Sequence, residues 1–353
     1  MIQLDTAWLQ HVSKPARYTG GEWNSVVKNH DEVDVTMALA FPDVYEVSMS
    51  HLGIKILYSL LNERADVAAE RVFAPWVDME EEMRKRHIPL FSLETKTPAK
   101  DFDLLGFTLQ YEMSYTNILN MLDLAGIPFY AKDRDLSFPL LLAGGPCAYN
   151  IEPIADFFDI VSIGESEEWL NEFVDLYKAE KAAGFPGGKE AFLRKAALIP
   201  GTYVPALYKP EYTAAGDFKG MKRLAEEAPE VIKKRIIEDM EHSFYPTKPV
   251  VPFLDVVHDR AVLELFRGCT RGCRFCQAGM LYRPVRERTP ERLVQLAKDI
   301  IANTGYNEIS LMSLSSADYS KLPELVDMLM EEFKDKQVSV SLPSLRIDAF
   351  SID

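Results

Sequence analysis

Four short segments, VDVTMALAF (33–41), DLLGFTLQ (103–110), PLLLAG (139–144) and DIVSI (159–163), are almost wholly apolar, and amphipathic stretches separate them. A strand that is apolar on both of its faces must be covered on both, which is the condition of a parallel sheet flanked by helices. The stretches 54–62, 115–124 and 167–178 carry their apolar residues at helical spacing and supply that cover. Strand and helix in alternation predict an α/β fold, a doubly wound, Rossmann-like parallel sheet within residues 1–185, preceded by an N-terminal extension.

Residues 186–255 interrupt this rhythm. Glycines and prolines at 184–188 and 245–252 punctuate the chain, and the charged stretch 226–241 reads as helical, so a linker or helical region is expected here. From 256 to 353 a second α/β pattern begins. Residues 261–266 form a strand candidate. Thr289-Pro290-Glu291 then opens a helix with an N-cap, a proline at the first helical position and an acid in the first turn. Leu293, Leu296, Ala297, Ile300 and Ile301 give that helix an apolar face, and Gly305 ends it. Strands at 308–312 and 338–342 flank a further helix built around Leu322, Leu325, Val326, Leu329 and Phe333. This is the opening of a β/α barrel, with room for about three of eight units. The expectation is an incomplete barrel with an open strand edge, completed by a C-terminal partner polypeptide or by further chain.

Cys269, Cys273 and Cys276 lie within one loop after the first strand of that pattern, in Cys-x₃-Cys-x₂-Cys spacing, and the fourth cysteine is the distant Cys147. Clustered thiols in a chain of 353 residues point to metal and not to a disulfide framework. Three thiolates on a four-iron cube leave one iron open to a small molecule, and Gly268 and Gly272 permit the sharp backbone course around it. Structural zinc is the alternative. It usually takes four ligands, and the fourth would have to come from Cys147 or His258, neither at motif spacing.

The formal charge of −15 disfavours general nucleic-acid binding. Seven arginines nevertheless crowd the stretch from Arg267 to Arg292, as a barrel rim or as an RNA-facing patch. The acidic remainder favours the rim, so an RNA substrate has no support beyond these arginines. No run of apolar residues is long enough to span a membrane and no leader peptide is evident at the start, so a cytoplasmic location is expected.

Arg267-Gly-Cys-Thr-Arg-Gly-Cys-Arg-Phe-Cys276 resembles the signature of the radical SAM superfamily. That resemblance implies a [4Fe–4S] cluster on Cys269, Cys273 and Cys276, reductive cleavage of S-adenosylmethionine (SAM), and a reductant such as flavodoxin or ferredoxin. It places Phe275 by the adenine. Ser313, Ser315 and Ser316 follow the second strand, where family members hold the amino group of SAM, often with a Gly-Gly-Glu-like segment that this chain lacks. Ser341 and Arg346 follow the third strand, within reach of the ribose or carboxylate. Loop capping is the alternative role of these serines.

The first domain resembles the cobalamin-binding domain that precedes the radical SAM core in many superfamily members, through Leu52-Gly53, LLGFTLQYEMSYTNI, Gly-Gly-Pro and GESEE. The resemblance implies a cobalamin site at Leu52, Gly53, Gly144, Gly145 and Gly164, or a B12-like fold that binds nothing. His51 does not have the spacing of a lower cobalt ligand, and Cys147 reads as a small buried residue. The whole chain is most similar to an uncharacterised bacterial radical SAM family, with Lys14-Pro-Ala-Arg-Tyr18 and Leu342-Pro-Ser-Leu-Arg346 as supporting phrases. Methylthiotransferases, which bind a second cluster through three N-terminal cysteines, are set aside because that region holds only Cys147. The readings that remain are a cobalamin-dependent methyltransferase, a cobalamin-independent hydrogen-abstraction or rearrangement enzyme, and a catalytically silent fragment that acts as a binding partner.

Overall fold

A computed structural model describes Ile2 and residues 6–346. Two compact units divide the chain. The first comprises Met1–Gly21, Val26–Ser48 and Leu61–Ile236; the second comprises Glu22–Ser25, Met49–Leu60 and Ile237–Asp353.

In the first unit six strands form one sheet: β1 (Val35–Phe41), β2 (Val67–Phe73), β3 (Leu104–Thr108), β4 (Leu140–Gly144), β5 (Ile160–Ser162) and β6 (Thr202–Tyr203). Their order is β2-β1-β3-β4-β5-β6. β1 to β5 run parallel and β6 is antiparallel to β5. All seven residues of β1 are buried, as its continuous apolar sequence demands. The order turns back at β1, between β2 and β3, the kind of switch point where open α/β sheets take ligands.

β2 escapes the apolar-run reading because Glu70 and Arg71 interrupt VAAERVF. Both are buried and both are paired. Glu70 accepts from Thr95 Oγ1 at 2.8 Å and lies 2.6 Å from His30 Nε2, while Arg71 Nε donates to Glu94 at 2.6 Å. A charge can sit inside a strand when its partners come in with it.

The helix expected over 226–241 is absent. The chain there runs through turns and bends, and at Arg235 it is bonded to the segment just after β5: Arg235 N donates to Ile163 O at 2.8 Å, and Glu165 N donates to Arg235 O at 2.9 Å. Those groups cannot also serve a helix. Residues 186–236 belong to the first unit and 237–255 to the second, where the sequence had suggested one connecting region. They include the helix Gly188–Ala196 and an exposed antiparallel hairpin of β7 (Tyr208–Tyr212) and β8 (Phe218–Arg223).

The second unit contains β9 (Ala261–Glu264), β10 (Phe266–Arg267), β11 (Arg286–Glu287), β12 (Glu308–Met312) and β13 (Ser339–Ser341). β13, β12 and β9 make a parallel three-stranded sheet among the described residues. The helices Pro290–Thr304 and Leu322–Phe333 join its core through Leu293, Leu296, Ile300, Leu325 and Leu329, packed with Leu263 and Leu311. Thr289 Oγ1 accepts from Arg292 N at 3.3 Å and Gly305 adopts φ +75°, so both expected caps are in place. Among the described residues no helix is long and apolar enough to cross a membrane.

Candidate metal centre

The cysteine loop begins at the C-terminal end of β9. Leu265 N donates to Met312 O and Arg288 N donates to Leu265 O, each at 3.0 Å. β10 and β11 then pair antiparallel, Phe266 with Glu287 and Arg267 with Arg286. This short ladder closes the loop 268–285 at its base. The Arg267 guanidinium grips Glu264, with Nε 2.8 Å from Oε1. Gly268 sits at φ +100°, where a Cβ would lie 2.5 Å from Pro284 O, so only glycine fits.

Within the loop, Cys269 O accepts from Arg283 Nε at 3.3 Å, and Cys276 N donates to Cys273 O at 3.0 Å. Cys269 is half-buried, whereas Cys273 and Cys276 are exposed. The three thiols share one closed loop, yet among the described residues no three metal-binding side chains are drawn together as a preformed cage. Three soft donors on one loop at a strand end fit an iron–sulfur cluster chemically, and closure of the thiols around it would accompany binding.

Phe275, just before the third cysteine, is 94% exposed, so its ring lacks a protein partner to cover it. The arginines around the loop are largely committed to the protein. Arg288 is buried with its guanidinium 5.1 Å from the centre of the Tyr245 ring; one nitrogen reaches Ser243 Oγ at 3.0 Å and another donates to Met240 O. Burial pushes its pKa down. Arg286 donates to Ile237 O at 2.5 Å. These bonds favour the rim reading of the cluster of arginines over a free basic patch.

Of the serines after β12, Ser313 is half-buried. Ser315 and Ser316 are buried. Ser316 Oγ lies 3.1 Å from Leu311 O, 2.7 Å from Pro343 O and 3.1 Å from Ser313 Oγ. Its bonding capacity is spent on joining the loops after β12 and β13. Ser341 lies within β13, opposite Ser310 of β12. Arg346 donates from one nitrogen to both oxygens of Asp318, at 2.9 and 2.8 Å. Asp318 also accepts from Arg271 Nε at 2.8 Å, and Arg271 stands between Cys269 and Cys273. The Arg271 pairing, with Ser315 and Arg346, holds the Asp318 carboxyl well below the usual range against the opposing effect of burial. Asp318 belongs to no motif. Its only sequence signal is an acid in a strand-end turn of a region rich in arginine.

The glycines singled out for cobalamin have other neighbours. Gly145 adopts φ +106°, and a Cβ there would meet Leu109 O at 2.6 Å. Gly164 adopts φ +111°, and its Cβ would lie 2.1 Å from Arg235 O. Both make room for the chain's own backbone. Gly144, at the end of β4, has only ordinary contacts. Leu52 and Gly53 open the helix Leu52–Glu63 and belong, with its residues up to Leu60, to the second unit; Ile54 N donates to His51 Nδ1 at 3.3 Å. Cys147 is buried, as expected.

A parallel sheet with a three-cysteine loop at its C-terminal edge defines an α/β protein of the class that carries metal-cluster chemistry at strand ends. Residues 53–205 match the family described as "Radical SAM proteins, N-terminal", and residues 263–352 match the "Radical SAM superfamily". The chain belongs to the radical SAM superfamily. An uncharacterized protein of Methanocaldococcus jannaschii is 26% identical over 323 residues, 90% of this chain and 56% of that protein. The ribosomal protein uS12 methylthiotransferase RimO of Prochlorococcus marinus is 30% identical over 138 residues, 37% of this chain and 28% of that protein. Among solved structures, the radical S-adenosylmethionine methyltransferase TsrM from Kitasatospora setae, with cobalamin and a [4Fe-4S] cluster bound, has a TM-score of 0.51 at 13% identity, covering 89% of this chain and 56% of that one. That likeness shows a shared α/β fold. This chain therefore spans about half the length of the first of these curated relatives, and less of the second.

Proposed function

We propose that this chain is the cluster- and SAM-binding portion of a radical SAM enzyme, with Cys269, Cys273 and Cys276 as the cluster ligands. The observation that carries this is the position of the cysteine loop, clamped by β10 and β11 at the C-terminal end of β9. Barrel enzymes place their chemistry at that edge. When bound, such a cluster supplies the electron that splits SAM into methionine and a 5′-deoxyadenosyl radical.

The protein's own residues have distinct tasks. Gly268 lets the loop leave β10, the β10–β11 ladder fixes its two ends, and Phe275 offers an exposed ring for the adenine to cover. Anaerobic reconstitution tests the assignment: about four irons per chain and 5′-deoxyadenosine with reductant and SAM support it, and retention of zinc in place of iron would overturn it.

Cobalamin-dependent methyl transfer is the finer reading, supported by the first unit's sheet order and by its sequence match to the N-terminal family. The packing of Gly145 and Gly164 against Leu109 and Arg235 favours the second reading, hydrogen abstraction without cobalamin, because it accounts for those glycines without a ligand. Titration with hydroxocobalamin followed by transfer of a labelled methyl group separates the two. A flavodoxin or ferredoxin is the proposed electron donor, and a cytoplasmic setting suits an oxygen-sensitive centre of this kind.

A further inference from the structure

Asp318 ties together three segments that all emerge at one edge of the second unit's sheet. It lies in the turn Ser316–Asp318 that follows β12. Arg271 reaches it from the cysteine loop that follows β9, using two guanidinium nitrogens on both carboxylate oxygens. Arg346 reaches the same two oxygens from the segment after β13, and its guanidinium also lies 3.5 Å from Ser315 Oγ. Two-pronged arginine–carboxylate contacts constrain direction as well as distance. Arg271 is the middle residue between the first two cysteines, so its direction affects the path of the loop between Cys269 and Cys273.

Among the described residues the segments after β9, β12 and β13 share no backbone ladder at this edge. β10 pairs only with β11, and the turn after β12 makes its tie to Pro343 O through the buried Ser316 hydroxyl. The Asp318 carboxylate, carrying two arginines, is thus an electrostatic link between the cysteine loop and the other two segments, beside the bond from Ser320 N to the Glu287 carboxylate at the base of the loop. Loss of the acid would remove from both guanidinium groups the two-pronged contact that sets their direction beside the thiols.

We propose that Asp318 is a positioning residue: through Arg271 and Arg346 it holds the cysteine loop in register with the segments after β12 and β13, and so shapes the pocket that takes SAM. This rests on the radical SAM reading of the cysteine loop. It assigns Asp318 no contact with SAM and no part in ligating iron. The ladder at the base of the loop and the three thiols are independent of it, so cluster assembly should survive its loss while SAM binding should not.

The experiment compares the parent chain with Asp318→Asn, Arg271→Gln and the double variant after anaerobic reconstitution. Iron per chain, thermal midpoint and SAM affinity by equilibrium dialysis are read on each, together with the change that SAM causes in the spectrum of the reduced cluster. The expected result is unchanged iron and a SAM Kd raised about tenfold in each single variant, equivalent to about 1.4 kcal/mol. The double variant should be little worse than either single one, because the two residues act through one contact. Asp318→Glu should restore part of the affinity. Single variants with parental SAM affinity, or effects that add in full, would overturn the proposal. So would loss of iron in Asp318→Asn at an unchanged thermal midpoint, since the carboxylate would then serve the cluster itself. Should Asp318→Asn fail to fold, Arg271→Gln, whose side chain is 47% exposed, decides on the same readouts. A parent that binds no iron fails differently: it removes the radical SAM reading and this one with it.

Discussion

The α-carbon of Gly268 faces the carbonyl of Pro284 so closely that an added methyl would sit 2.5 Å from the oxygen. These two residues are the entrance and exit of the cysteine loop, and their approach brings β10 and β11 into register. Gly268→Ala should therefore open the base of the loop. The cost of forcing a side chain into a positive-φ site is about 1–3 kcal/mol, read as a lower denaturant midpoint. Iron uptake on reconstitution should fall with it, whereas Gly216→Ala, at an open turn where an added Cβ would meet nothing within 4 Å, should leave iron uptake unchanged.

The four cysteines should differ sharply in reactivity. Cys147 is buried and its thiol pKa is pushed up by burial and by Glu112, while Cys273 and Cys276 are exposed. In the iron-free chain under reducing conditions, iodoacetamide followed by peptide mass spectrometry should label Cys273 and Cys276 at least about tenfold faster than Cys147. Bound iron should protect the loop cysteines and leave Cys147 as it was.

Phe275 is almost wholly exposed, so its removal should not disturb the fold. Phe275→Ala is expected to change unfolding free energy by less than about 0.5 kcal/mol. SAM affinity of the reconstituted protein should fall about tenfold, the order expected when an aromatic contact worth about 1.5 kcal/mol is lost. A stability loss of the size seen for a core phenylalanine would contradict the observed exposure.

Gly164→Ala should destabilise the first unit whether or not cobalamin is present, because the clash is with Arg235 O in the chain itself. About 2 kcal/mol is expected from strain of this kind. A variant with normal stability that has lost only cobalamin binding would reverse the assignment and make Gly164 a ligand contact.

Glu46 provides a pH test in the first unit. Burial alone would raise its carboxyl pKa, but Arg17 and Lys14 outweigh this and bring it from 4.5 down to about 2. A depressed folded-state pKa adds stability above the unfolded value, and that stability is lost as pH falls from about 4.5 towards 2. After allowance for solvent screening the contribution is about 1–2 kcal/mol. Glu46→Gln should be less stable than the parent at pH 7, with the gap closing in that acid window.

Long-period patterning carried most of the fold. Continuous apolar runs marked β1, β3, β4 and β5, and the Thr289–Gly305 caps marked their helix to the residue, because both signals depend on near neighbours in the chain. β2 was hidden, since its Glu70 and Arg71 are acceptable only beside His30, Thr95 and Glu94, which arrive from elsewhere. The stretch 226–241 misled for the same reason. Its composition suits a helix, but the segment just after β5, about 70 residues earlier, takes the backbone groups of Arg235.

At the candidate centre the division is similar. The sequence by itself determined which three thiols share a loop and that Gly268 must be a glycine-type turn, because spacing and backbone sterics are local properties. Only the tertiary structure decided that Ser316 is spent between two carbonyls, that Gly145 and Gly164 yield space to Leu109 and Arg235, and that Asp318 joins Arg271 to Arg346. Hydrogen bonds and ion pairs between residues far apart in the chain leave no periodic trace in it; they exist only once packing has brought the strand ends together.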